Sequence, residues 1–196
     1  QQIDGASSFD HSREFFYGGF PPSEIDAEKT EFDYRSNFFH SSGEFDHTVS
    51  FLAEREDEHV RQFGTFDEKV GQTGVAGEYK PGIGDALFLT GSVRRDFNEG
   101  FEDATTYRLT AAYLFEETGT KLRSSFGTGV KNPTLIELFG TFPGFVPNPN
   151  LKPESAEGWD VGVDQALLDG RLNFDLTYFV QTISDLFQTD VNTVVD

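Results

Sequence analysis

The residue types that could do chemistry in this chain are few, and most are poorly spaced for it. "EREDEH", residues 54–59, gathers four carboxylates that could offer oxygen ligands to calcium. The Asp-x-Asp-x-Asp-Gly spacing of a calcium loop is absent, so a solvated, charged loop is the plainer expectation. His11, His40, His47 and His59 are scattered with no His-x-x-x-His or similar pair, which argues against a zinc centre. There is no Gly-x-Ser-x-Gly elbow and no paired-carboxylate motif, so no catalytic residue, metal ligand or cofactor is assigned and the chain is not read as an enzyme.

The stretch "FGTFPGFVPNPNLKPESAEGWDVGVDQ", residues 139–165, is of another kind. Pro143, Pro147, Pro149 and Pro153 fix φ and remove donors, which rules out both a helix and a central strand over them, ahead of a clean alternating run. Phe139, Phe142 and Phe145 are nevertheless too apolar for an idle solvent loop, and a long loop of this type is usually functional or else disordered. Those three rings, with Phe101 on a neighbouring loop, form a candidate surface for ligand capture. Packing of the rings on adjacent loops is the alternative. Asn148, Pro149, Asn150 and Leu151 begin a turn, Pro153 and Glu154 fix the return of the chain, and Asn132–Pro133 stands at the other foot. These eight positions are expected to be structural.

The elements that must hold such a loop follow from pattern. At 196 residues the chain suits one ordinary domain. A mean hydropathy of −0.44 and the lack of any long unbroken apolar run exclude a membrane helix. "QQIDGASSFDHSRE" has neither the basic nor the apolar region of a secretory leader. Gln at position 1 suggests a processed or trimmed chain. Cysteine is absent, which excludes disulfides and thiolate chemistry. The 34 acids against 15 bases give a formal charge of −19, a field that repels nucleic acid and anionic head groups.

Period-two alternation recurs along the chain. "TEFDYRSNFF", "FDHTVSFLA", the weaker "GQTGVAGEY", "LFLTGSVRRDF", "YRLTAAYLF", "LRSSFGTGV", "WDVGVDQ" and "LNFDLTYFV" read as eight strands of about nine to eleven residues. Turn-rich connections near 42, 80–85, 116–120 and 167–170 alternate with longer ones at 54–70, 95–104 and 131–156. Tight turns at one end and elaborated loops at the other match a transmembrane β-barrel. A soluble β-sandwich shares the alternation. Aromatic residues near the ends of the apolar faces, charged polar faces and segregation of loop length by end favour the barrel.

Residues 125–187 closely resemble the late barrel region of TonB-dependent outer-membrane receptors. The resemblance is carried by Gly127–Thr128–Gly129–Val130–Lys131–Asn132–Pro133 ending one strand and Asn148–Pro149–Asn150–Leu151–Lys152–Pro153–Glu154 leading into the next. "TTYRLTAAYLF" at 105–115 looks like the strand before, and residues 1–80 share the strand grammar without a family signature. The cobalamin and catecholate-siderophore transporters are the branch most resembled.

That resemblance implies an all-β, antiparallel transmembrane barrel segment, about eight strands of a barrel of roughly 22. Residues 1–196 are then expected to be a partial barrel, with plug domain and remaining strands absent. It implies residence in the outer membrane of a Gram-negative bacterium, with short periplasmic turns and long extracellular loops. The implied partners are outer-membrane lipid and lipopolysaccharide, the TonB complex through the missing plug region, and a small metal-chelate ligand. The function implied is energy-coupled uptake of a scarce nutrient. A passive porin or adhesin and an acidic carbohydrate-binding sandwich are the alternatives.

Sidedness follows from the two-residue period. Leu109, Tyr113, Phe126, Val161, Val163, Phe174, Leu176 and Tyr178 are expected to face lipid. Arg108, Arg123, Asp160, Asp164, Asn173 and Asp175 are expected to face the lumen.

Overall fold

The computed structural model describes residues 6–15, 23–142, 144–168, 170–190 and 193–195. Pro143 lies outside them, as does the side chain of His11. Nine strands form one antiparallel sheet in sequence order: β1 (Ala6–Phe15), β2 (Ser23–Ser42), β3 (Phe45–Gln62), β4 (Phe66–Ile83), β5 (Leu87–Asn98), β6 (Ala104–Phe115), β7 (Thr120–Lys131), β8 (Glu154–Leu167) and β9 (Leu172–Ser184). A short helix, α1 (Leu135–Phe139), sits in the β7–β8 connection. A separate two-stranded ribbon, β10 (Gln188–Asp190) and β11 (Thr193–Val195), ends the described chain. All eight expected strands are present, and β1 adds a ninth ahead of them.

Every connection of the sheet is a meander step, so strict alternation of ends is built in. One end carries the tight turns after β2, β4, β6 and β8, and each holds a left-handed glycine: Gly43, Gly84, Gly119 and Gly170. At φ of +57° to +79°, a side chain in those positions would be strained. The β7–β8 connection at the other end is long, as expected.

The segment 54–70 is not a loop. β3 and β4 continue through it in unbroken register, from Glu54 opposite Gly74 to Gln62 opposite Phe66, and turn over residues 63–65. Its strand character is invisible in the sequence because both faces are charged. Glu54, Glu56 and Glu58 lie on one side while Arg55, Asp57 and His59 lie on the other. "EREDEH" is therefore strand wall, and among the described residues no three or more carboxylates and imidazoles are gathered to hold a metal. The 95–104 connection also shrinks to residues 99–103, stapled by Asn98 Nδ2 to the Glu102 carbonyl at 2.9 Å.

Residues directly opposed in adjacent strands share a face, so the registers sort the whole sheet. Phe38, Val49, Tyr79, Leu109, Phe126, Trp159 and Val180 fall on one face, continuous with Tyr113, Val161, Val163, Phe174, Leu176 and Tyr178. The other carries Arg35, Glu54, Arg94, Arg108, Arg123, Asp160, Asp164, Asn173 and Asp175, interrupted by Phe39, Phe88 and Phe179. The expected two-sided division is the one the registers produce. The apolar face is bare: Leu176 is 61% exposed and Tyr178 62%. Its apolar band runs from Phe45 to Ala53 on β3 and Tyr107 to Phe115 on β6, close to the 9–11 residues that a tilted membrane strand needs. β2, β3 and β4, at 20, 18 and 18 residues, rise well beyond that band.

On the polar face two arginines each cross an entire strand. Arg94 of β5 reaches over Gly74 of β4 to Glu54 of β3, at 2.9 Å, and also pairs with Asp96. Arg123 of β7 reaches over Gly162 of β8 to Thr177 Oγ1 of β9, at 2.6 Å, and donates to Asp164. A Cβ at Gly162 would stand 2.8 Å from the Arg123 guanidinium carbon, and one at Gly74 would run into Arg94. Glycine is what lets each guanidinium lie flat on the wall.

If the apolar face meets hydrocarbon, adjacent positions on β9 should respond differently to one substitution. In the complete barrel, Leu176→Arg should destabilise by about 2–4 kcal/mol near the midplane, whereas Thr177→Arg should cost far less. Urea titration of barrel folding into vesicles measures both, and equal costs would overturn the assignment.

Candidate functional site

The site is built where the polar face rises past the apolar band and the β7–β8 loop folds back over it. Its anchor is α1. Thr134 accepts the Glu137 amide on its Oγ1 at 3.2 Å, and Glu137 Oε2 accepts the Thr134 amide at 2.8 Å, a complete capping box. The helix is short, so burial rather than propensity holds it. Leu135 and Leu138 pack with Leu151 of the same loop against Ile25 of β2 and Val60 of β3. These five are the buried apolar residues among those described, so the only core forms at the rim.

Polar contacts fix the loop to the wall. Gln62, at the end of β3 and 3% exposed, donates its amide to the Thr141 carbonyl at 2.7 Å and accepts the Thr141 amide at 2.9 Å. The Asn148 amide donates to the Glu137 carbonyl at 3.0 Å, and Asn148 Oδ1 accepts the Asn150 amide at 3.0 Å, an Asx turn. Asn132 Nδ2 donates to Asn98 Oδ1 at 3.0 Å, tying one foot to the end of β5. At the other foot Glu154 accepts the Phe187 amide at 2.7 Å and Lys131 Nζ at 3.2 Å. The Phe187 amide, then Lys131, hold its carboxyl below the usual carboxylate range. In contrast, burial, and next the Glu56 charge, push the Glu58 carboxyl upward.

Phe101, Phe139, Phe142 and Phe145 all come to this rim. Each is partly buried against the small core; Phe139 tilts on Phe66 with ring centres 6.1 Å apart, and Phe142 meets Phe145 edge-on at 6.0 Å. Phe101 also lines a crevice of about 690 Å³ between the 99–103 turn and the loop foot, with Leu151, Lys152 and Pro153. A second concavity, about 530 Å³, lies lower on the polar face and is lined by Arg35, Asn37, Glu78, Arg94 and Arg108. Gln62 and Val60 lie in the 54–70 segment expected to be a connection, and Ile25 lies ahead of "TEFDYRSNFF", so no sequence signal marks these three. α1 had a readable signal in Thr134-x-x-Glu137 after Pro133.

A family model described as TonB dependent receptor-like, beta-barrel matches residues 2–196. The chain belongs to the TonB-dependent receptor family. Solved structures with the same fold include the siderophore receptor PirA from Pseudomonas aeruginosa, at 15% identity and a TM-score of 0.78. That match covers 97% of this chain and 40% of PirA, so the chain spans well under half of that receptor. The hemophore receptor HasR of Serratia marcescens, solved with its hemophore HasA and heme, matches at 13% identity and 0.69, covering 89% of this chain and 37% of HasR. A mutant of the ferric enterobactin receptor PfeA from Pseudomonas aeruginosa, in complex with enterobactin, matches at 15% and 0.69, covering 88% and 29%. At these identities the likeness is one of fold.

Within this TonB-dependent receptor wall, Gln62→Leu should release the loop. It leaves the Thr141 amide and carbonyl unpaired at a cost of about 1–3 kcal/mol, so amide exchange across 134–145 should quicken about tenfold or more. Hydrogen-exchange mass spectrometry on the complete receptor reads this. Unchanged exchange would mean that α1 alone holds the loop.

Proposed function

We propose that this chain is a wall segment of an outer-membrane receptor that takes up a scarce nutrient in a Gram-negative bacterium. The ligand is a small metal chelate such as a ferric siderophore or cobalamin, and uptake is driven by the TonB complex through a plug region elsewhere in the receptor. The observation that carries this reading is the two-sided wall: one bare apolar band of membrane height and one charged face, held in register over nine strands. The apolar face meets outer-membrane lipid, and its upper margin meets lipopolysaccharide. The charged face lines the lumen. PirA, HasR and PfeA are siderophore, hemophore and ferric enterobactin receptors, which supports a chelated metal as the cargo class.

In this reading the β7–β8 loop and the 99–103 turn stand on the extracellular side. Phe101, Phe139, Phe142 and Phe145 present their exposed parts to the ligand, while Asn132, Pro133, Asn148, Pro149, Asn150, Leu151, Pro153 and Glu154 shape the loop. A rigid loop base suits recognition because little freedom is lost on binding.

Topology is tested on whole cells. Cysteines placed at Asp103 and Gly144 should react with an impermeant reagent, and one at Asp85 should not; the reverse pattern would turn the barrel over.

Ligand capture is tested by two double variants of the complete receptor. Phe142→Ala with Phe145→Ala should weaken ferric-chelate binding about tenfold to a hundredfold, as loss of aromatic anchors does. Pro149→Gly with Pro153→Gly should weaken it less and leave the order of ligand preference unchanged, because only preorganisation is lost. Heat resistance of the barrel on gels confirms assembly, and uptake of labelled chelate is the readout. Unchanged binding in the Phe variant would return those rings to packing alone.

A further inference from the structure

The histidines look scattered in sequence, yet the register sets two of them face to face. His40 of β2 is directly opposite His47 of β3, on the apolar face and close to the β2–β3 tight turn. Their ring centres are 6.2 Å apart with planes at 15°. Tyr79 of β4 completes the row, 6.0 Å from His47 in ring centres and with its hydroxyl 2.8 Å from His47 Nδ1.

From this arrangement we propose that His40 and His47 form a two-imidazole site for a divalent transition-metal ion of the copper, zinc or nickel class. Opposed residues on antiparallel strands hold their Cβ atoms about 4.5–5.5 Å apart, which fixes the two imidazole stems with no loop to order. An ion bound by two imidazole nitrogens at about 2.0–2.1 Å each sets the ring centres roughly 5–6 Å apart. The observed 6.2 Å needs only a small turn of the rings, and His40 is exposed enough to make it. In the tautomer that donates Nδ1–H to the Tyr79 oxygen, His47 keeps the lone pair on Nε2 for the metal; a hydrogen bond to the far nitrogen is the usual support of a ligating imidazole.

The surroundings choose the class of ion. On this face the nearby positions are Phe38, Ser42, Phe45, Val49, Pro81 and Ile83, so no lysine or arginine repels a cation. No carboxylate stands there either. Nitrogen donors without oxygen anions select copper, nickel and zinc over calcium and magnesium. The pair stands at the turn end of the apolar band, so on the function proposed above its two remaining coordination positions open at the membrane–water interface, to water or to a donor from outside the chain.

The test uses the complete receptor purified in detergent without a histidine tag. Titration with Cu2+ by calorimetry should show one binding event that the His40→Ala, His47→Ala double variant lacks. His59→Ala, whose imidazole pairs with Asp67 at 2.6 Å, should keep it. Electron spin-echo modulation of the bound Cu2+ should report two imidazole nitrogens in the parent and one in either single variant. Tyr79→Phe, acting only by positioning His47, should weaken binding about tenfold while the two-nitrogen signature persists. Barrel heat resistance establishes that each variant is folded. An unchanged copper stoichiometry in the folded double variant, or a parent spectrum without paired imidazoles, would overturn the site.

Discussion

Between β2 and β9 the hydrogen-bonded ladder keeps odd and even positions on opposite faces, and no bulge shifts that parity anywhere along the sheet. The interruption at Lys80 and Pro81, where proline has no N–H to give, leaves the register on both sides of it unchanged. A slip of one residue in a single strand would move Arg123 or Asp164 onto the face of Leu122 and Val163. Sidedness, the crossing arginines and the seat of the long loop all inherit their positions from this ladder.

The sheet was legible wherever one face is apolar and the other polar. "YRLTAAYLF" and "LNFDLTYFV" announce their strands because Leu109 and Leu176 alternate with Arg108 and Asp175. Legibility failed where the wall clears the apolar band. There Arg55 opposes Thr73 on one face and Glu54 opposes Gly74 on the other, and neither side needs hydrophobic residues. Period-two hydropathy reports burial in a medium, so a strand solvated on both sides has no such signature. The tight turns were readable from glycine because the left-handed backbone leaves little choice of residue.

The loop shows the same division. Its prolines and Asn148 gave away a stiff base, and the Asx turn to Asn150 is the contact such residues make. Nothing local could show that Gln62, 79 positions from Thr141, would hold the loop by both halves of its amide. Nor could it show that four phenylalanines would share a core with Ile25 and Val60. Long-range contacts of this kind follow from topology: β3 must rise beside β2 before α1 has anything to pack on. The rings consequently serve packing and leave partial exposure at once, a pairing that binding surfaces use because it fixes an aromatic face in place.

The two polar-face arginines that cross a glycine have a mechanical consequence. Each joins strands that are not neighbours in the ladder, β5 to β3 and β7 to β9. Every second strand is thereby coupled at these two places by a side chain as well as through the strand between. Load applied at β9 would reach β7 by two routes at once, the backbone ladder of β8 and the Arg123–Thr177 contact.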